Sequence, residues 1–276
     1  MDKEKSLFGN AILIFLLVQA FGLFSGYYLE NQIEPTDVFL YFSLGDLLPE
    51  ITFGLLLGIL ILVFLYFMRN NKNLLKIFFG IFLFVGSFYI FQIYFQLFLA
   101  LLFSMMLVIL WLKLKKVWVH NLAIGLVICG LGVDFGNMIP TQMILIILAV
   151  LSLYDFYAVL KTKVLVKVFS GLASHGMVLA MIIPARLQNL NEEYDHLSPN
   201  KQFFYLGTGD LLLPLMLAVS LIGSSLASAF LVSLGAATGL GFLYFYIHVL
   251  KITRPMPALP PIAFFSIIGF IISIFI

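Results

Sequence analysis

The stretch FYLGTGDLLLP, residues 204–214, decides how this chain is read. It sets one carboxylate, Asp210, into an apolar segment directly after two glycines. An ionisable side chain at membrane depth costs about 2.5–3.5 kcal/mol on insertion scales, so its default meaning is functional. A second acid has similar surroundings in LSLYDFYAV, residues 151–159, which carries Asp155. The rest of the chain can be understood as a means of bringing these two acids together.

Of the 276 residues, 63% are hydrophobic and 10% charged. Soluble domains carry about 25% charged residues, so the composition is that of an integral, multi-pass membrane protein and the bilayer is its first partner. A net charge of +2 is too small to argue for nucleic acid. A single cysteine, Cys129, excludes an internal disulfide and gives no metal-ligand spacing. The N-terminal apolar run is long and ends in bulky Tyr27 and Tyr28, so it reads as a retained helix and not as a cleaved signal.

A span needs roughly 20 apolar residues, and nine are expected in an all-α polytopic fold. They cover about 7–29, 47–68, two halves of 74–112 divided near Gln92–Gln96, 121–133 with an outer end frayed to 138, 141–160, 203–222, 224–250 and 258–276. Lysine and arginine accumulate in cytoplasmic loops. With a cytoplasmic N-terminus and an outside C-terminus, all 15 Lys and Arg fall inside, and the first outer loop is acidic. The chain then divides into a six-helix part (1–160), a cytoplasmic segment and loop (161–200), and a three-helix part (201–276). Residues 164–183 hold Lys167 and His175 among small residues, which suits an amphipathic segment on or dipping into the cytoplasmic face. Residues 189–200 are expected to form a solvated linker.

Asp155 lies six residues before Lys161 and Asp210 nine after Lys201. At 1.5 Å per residue both carboxylates sit roughly 9–13 Å from the cytoplasmic boundary. Gly207 and Gly209 remove side chains beside Asp210 and suggest the close approach of a neighbouring backbone. Two carboxyls sharing a site cannot both ionise cheaply, so the pair holds a proton between them. That state suits peptide hydrolysis, with one member activating water and the other polarising the scissile carbonyl. Paired acids also serve as proton relays in transporters, and a single buried Asp can simply line a cavity.

Three motifs lie in order: Tyr154-Asp155, Gly207-Thr208-Gly209-Asp210 and Pro257-Ala258-Leu259. In this the chain resembles the presenilins and signal peptide peptidases, the intramembrane aspartyl proteases. The specific match covers about 151–261. The resemblance implies Asp155 and Asp210 as the catalytic pair, with Tyr154, Gly207, Thr208 and Gly209 in support. It also implies that Pro257, Ala258 and Leu259 help to hold substrate, a transmembrane helix of another protein. No cofactor and no metal are implied, and accessory subunits stay open. A helical substrate must unwind locally before water reaches its peptide bonds. Backbone freed in hydrocarbon needs new partners, and extended chain beside the site can supply them. Prolines 255, 257, 260 and 261 are expected to keep this stretch non-helical. Thr208 stands where the family usually has an apolar residue, which bears on cleavage preference. Short loops leave little room for a long cytoplasmic loop, so autoproteolytic maturation is not carried over. The orientation is presenilin-like, and the compact size resembles the microbial members, which would place the chain in a microbial cell membrane.

Other chemistries fit poorly. Ser225 and His248 are 23 residues apart on one predicted helix, roughly 34 Å, too far for a nucleophile and its base. No His-Glu-x-x-His occurs. Gly235 and Gly239 read as close helix packing, and Asp46 and Asp134 as solvated outer ends. Gln92 and Gln96 read as turn residues, and the Phe-rich helices beside them as facing lipid or other helices.

Overall fold

The computed structural model describes residues 2–32, 72–162, 171, 176–194, 203–250 and 256–275. The predicted span 47–68, the loop 195–200 and most of 163–175 lie outside the described residues. Within them run eight α-helices: α1 (Asp2–Glu30), α2 (Lys72–Tyr94), α3 (Leu97–Leu114), α4 (Val117–Met138), α5 (Thr141–Tyr157), α6 (Thr208–Val219), α7 (Leu226–Val249) and α8 (Leu259–Ser273). Six of these, α1 to α5 and α7, are long and apolar enough to cross a membrane, while α6 and α8 are shorter. The expected break in 74–112 falls between α2 and α3, where Gln96 is extended; Gln92, expected in a turn, is helical.

Small residues set how closely the helices approach. A Cβ on Gly22 would strike Leu215, and one on Gly26 would strike Val219 and Ile222, so α1 and α6 rise in the same direction. Gly132 against Leu215 and Gly136 against Val219 give the same relation for α4 and α6. The pairs Phe79–His120 and Gly86–Val127 give it for α2 and α4. These four helices are the predicted first, third, fifth and seventh spans, the ones that strict alternation makes parallel. Gly235, Gly239 and Gly269 bring α7 and α8 into antiparallel backbone contact, as two small residues one turn apart suggested.

The expectation of an all-α chain is corrected by a two-stranded sheet. Strand β1 (Ala180–Pro184) pairs antiparallel with β2 (Phe203–Gly207), from Ala180 opposite Gly207 to Pro184 opposite Phe203. The predicted seventh span is therefore a strand of 5 residues followed by a helix of 12, and 180–183 is buried strand where an amphipathic surface segment was expected. Extended backbone survives among apolar helices only where every polar group finds a protein partner. The edge of β1 away from β2 meets this demand with side chains. Asn121 donates its Nδ2 to the Ile182 carbonyl at 2.7 Å and accepts the Ile182 N–H at 2.8 Å, so one amide replaces a neighbouring strand. The Trp111 indole can only donate, here to His120 Nδ1 at 3.4 Å, which leaves the His120 Nε2–H to donate to the Ala180 carbonyl at 3.0 Å. Asn10 and Ser6 of α1 donate to the carbonyls of Pro184 and Ala185.

The expected solvated linker is also partly built in. Residues Leu187–Asn191 form a 3₁₀ turn, Val117 N–H donates to the Glu192 carbonyl, and Tyr194 is buried between Trp111 and His120. Asp134, expected at a solvated end, is half-buried one turn before α4 finishes.

Replacing Asn121 by Leu strands the Ile182 N–H and C=O in an apolar interior, at about 1–3 kcal/mol for each unmet group. Thermal unfolding of Asn121→Leu in detergent is expected to show a clear drop in midpoint, and an unchanged midpoint contradicts the edge assignment.

Candidate active site

Asp210 stands in the first turn of α6, with Gly207 as N-cap. Three residues on from the cap, its carboxyl folds back onto the Gly207 N–H, which is the acidic half of a capping box. A Cβ on Gly207 would lie 2.9 Å from Asp210 Oδ2. The expectation that both glycines admit a neighbouring backbone is corrected at Gly207, where the space holds the carboxylate itself; a Cβ at Gly209 would meet nothing within 4 Å among the described residues. Thr208 begins the helix, and its N–H reaches toward the Leu179 carbonyl at 3.5 Å, which extends the strand pairing to the turn that carries Asp210.

Asp155 is half-buried near the end of α5, where the α-helical ladder gives way to a π-helical turn, Ala158–Thr162. Its Oδ2 accepts the Leu259 N–H at 3.3 Å. Leu259 is the first residue of α8, followed by Pro260 and Pro261. The early N–H groups of a helix have no partner within it, and proline brings none. The two prolines therefore leave Leu259 as the sole donor of the first three positions, and Asp155 takes it. Helix thus starts inside the motif, close to the expected start of the last span at about 258; the prolines open that helix, and the expectation that they keep the stretch non-helical fails at 260 and 261. Pro257 and Leu259 are buried and Ala258 is half-buried.

The first and third motifs are thereby brought together. Both acids meet the N-terminal end of a helix, where backbone N–H groups and the helix dipole favour a carboxylate. Asp155 is near enough to Asp210 to act on it electrostatically. Tyr154 lies on an exposed face, 46% accessible. Ser225 caps one end of α7 and His248 lies in its last turn, as distant as their spacing implied. Among the described residues no group of three or more His, Cys, Asp or Glu is placed to hold a metal. The sequence reading passed over Gln19, whose Nε2 donates to the Leu211 carbonyl beside Asp210 at 2.9 Å. The signal available was a lone amide in an apolar run.

A helical membrane protein with a short strand pair leading into an acid-bearing helix has known relatives. Two solved structures, each of a presenilin family intramembrane aspartate protease, share this fold. One, in a C222 crystal, has a TM-score of 0.62 at 20% identity, covering 95% of this chain and 94% of that one. The other, in a P2 crystal, has a TM-score of 0.63 at 21% identity and covers 95% of each. No curated protein matches. The family model described as signal-peptide peptidase, presenilin aspartyl protease matches residues 12–276. The chain belongs to that family, and by membership it is an intramembrane aspartic protease.

Gly207→Ala pushes a methyl into the Asp210 carboxylate, whereas Gly209→Ala enters open space. A displacement of about 1 Å can cost up to a hundredfold in rate, so cleavage of a membrane substrate is expected to fall at least about tenfold for Gly207→Ala and less for Gly209→Ala. Equal losses contradict the geometry.

Proposed function

We propose that the chain hydrolyses peptide bonds within transmembrane helices of other proteins, with Asp155 and Asp210 as its catalytic dyad. The observation that carries this reading is the Leu259 N–H bonded to Asp155. That contact joins the first and third motifs, which lie 104 residues apart, and Asp155 is near enough to Asp210 to act on it electrostatically.

The ionised carboxylate takes a proton from a water, whose oxygen attacks the scissile carbonyl carbon. The protonated carboxyl gives its proton to the carbonyl oxygen, producing a neutral gem-diol. Collapse returns a hydroxyl proton to one carboxylate while the other acid protonates the amide nitrogen, and the C–N bond breaks. Neither step requires a cofactor. The substrate helix must open to present its carbonyl, and opened backbone needs partners. Pro257, Ala258 and Leu259, beside Asp155, and the strand β2 leading into Asp210 are the segments suited to receive it, in the manner of strand addition. Thr208, one turn position from the dyad, then contributes to cleavage preference.

Orientation belongs to the same proposal. The segregation of all 15 basic residues supports a cytoplasmic N-terminus, and the parallel course of α1, α2, α4 and α6 agrees with it. Substrates with an outside N-terminus are then favoured.

Purified protein in lipid, given a single-span substrate, is expected to cut within the span. Asp155→Asn and Asp210→Asn should each lower the rate by at least about a hundredfold, the low end of acid–base contributions. Undiminished cleavage by either variant removes the dyad, and proton flux without any cleavage makes the acids a relay. A peptidic transition-state mimic at about a hundred times its Kd should stabilise the wild type by about 2.7 kcal/mol and leave both variants unaffected.

A further inference from the structure

Gln19 sits in the middle of α1, 1% exposed, in an otherwise apolar stretch. Its amide serves two other helices. Nε2 donates to the Leu211 carbonyl of α6 at 2.9 Å, and Oε1 faces Ser233 Oγ of α7 at 3.4 Å. Ser233 is itself buried. An amide so far from water keeps its partners because nothing else can satisfy it.

The place it grips is packed in the core but lacks part of the hydrogen bonding of its own helix. Leu211 follows Asp210 in the first turn of α6, and Pro214 lies three residues further on. Proline has no N–H to give the Asp210 carbonyl, and its ring crowds that carbonyl, so the first turn is poorly tied to the rest of its own helix. The turn is held from outside instead. On its strand side Thr208 reaches Leu179 only at 3.5 Å. On its helix side the contact is Gln19, one turn before Gly22, where α1 packs against Leu215 of the same helix.

We propose that Gln19 is a positioning residue for Asp210: by holding the Leu211 carbonyl it sets the rotation of the proline-weakened turn, and with it the direction in which the Asp210 carboxyl faces Asp155. Ser233 keeps the Gln19 amide from flipping. This rests on the dyad reading above. Gln19 touches no reacting atom, so its loss should slow the chemical step without weakening the hold on substrate.

The test uses the full-length protein in lipid with the single-span substrate, comparing wild type, Gln19→Met, Ser233→Ala, the double variant and Asp210→Asn. Methionine keeps the length and flexibility of Gln19 and lacks the amide. The expected result is a kcat lowered at least about tenfold in Gln19→Met, in the range by which small misplacements slow enzymes. KM should stay within twofold and the melting midpoint close to wild type. Ser233→Ala should lower kcat less, and the double variant no further than Gln19→Met, because the two act through one contact. An unchanged kcat, or a loss of activity that merely follows a lost melting transition, overturns the proposal. Should Gln19→Met not fold, Ser233→Ala decides: a lowered kcat with a normal melting midpoint supports it, and wild-type kinetics overturn it. Asp210→Asn separates the two levels. If it abolishes cleavage while Gln19→Met is normal, the dyad stands and the positioning role falls; if it cuts normally, both fall.

Discussion

An extended backbone among apolar helices can keep no polar group unpaired, and much of this structure follows from that demand. The strand β1 exists because β2 pairs one of its edges and Asn121, His120, Asn10 and Ser6 serve the other. With β1 secured, β2 has a rigid neighbour, and the chain can enter α6 at Thr208 with Asp210 in the opening turn. A continuous helix through 203–222 would have placed that acid mid-ladder, with no free N–H groups near it.

The acids are accommodated by the same economy. Each is met by a backbone N–H that its own helix cannot use: Gly207 for Asp210, Leu259 for Asp155. Proline has complementary uses at these two helix starts. In α8, Pro260 and Pro261 reduce the available donors to one and so direct it at Asp155. In α6, Pro214 removes a bond from the turn that bears Asp210, which leaves that turn responsive to what packs beside it.

What was legible in the sequence were the residues that break an apolar background. Asp155 and Asp210 stand out because hydrocarbon makes ionisable groups rare, and Gly207 and Gly209 because they directly precede Asp210. Helix existence was equally plain, from α1 through α8. Less legible was the state of 180–184 and 203–207, since a short apolar run suits strand and buried helix alike. The depth estimate for the acids assumed a helical rise of about 1.5 Å throughout, although strand β2 rises about 3.3 Å per residue. Asp155 meets the start of α8 and Asp210 follows the strand pair, surroundings that a rise along one helix does not describe. Gln19 and Asn121 were visible as lone amides, but which carbonyl each would meet was not.

By itself the sequence determined the membrane class and singled out the two acids, because each depends only on composition or residue type. Only the tertiary structure decided that strand replaces helix before Asp210 and that the first N–H of α8 goes to Asp155. Those outcomes depend on which distant groups satisfy each backbone polar group, and partners 60 to 192 residues away leave no local pattern in the chain.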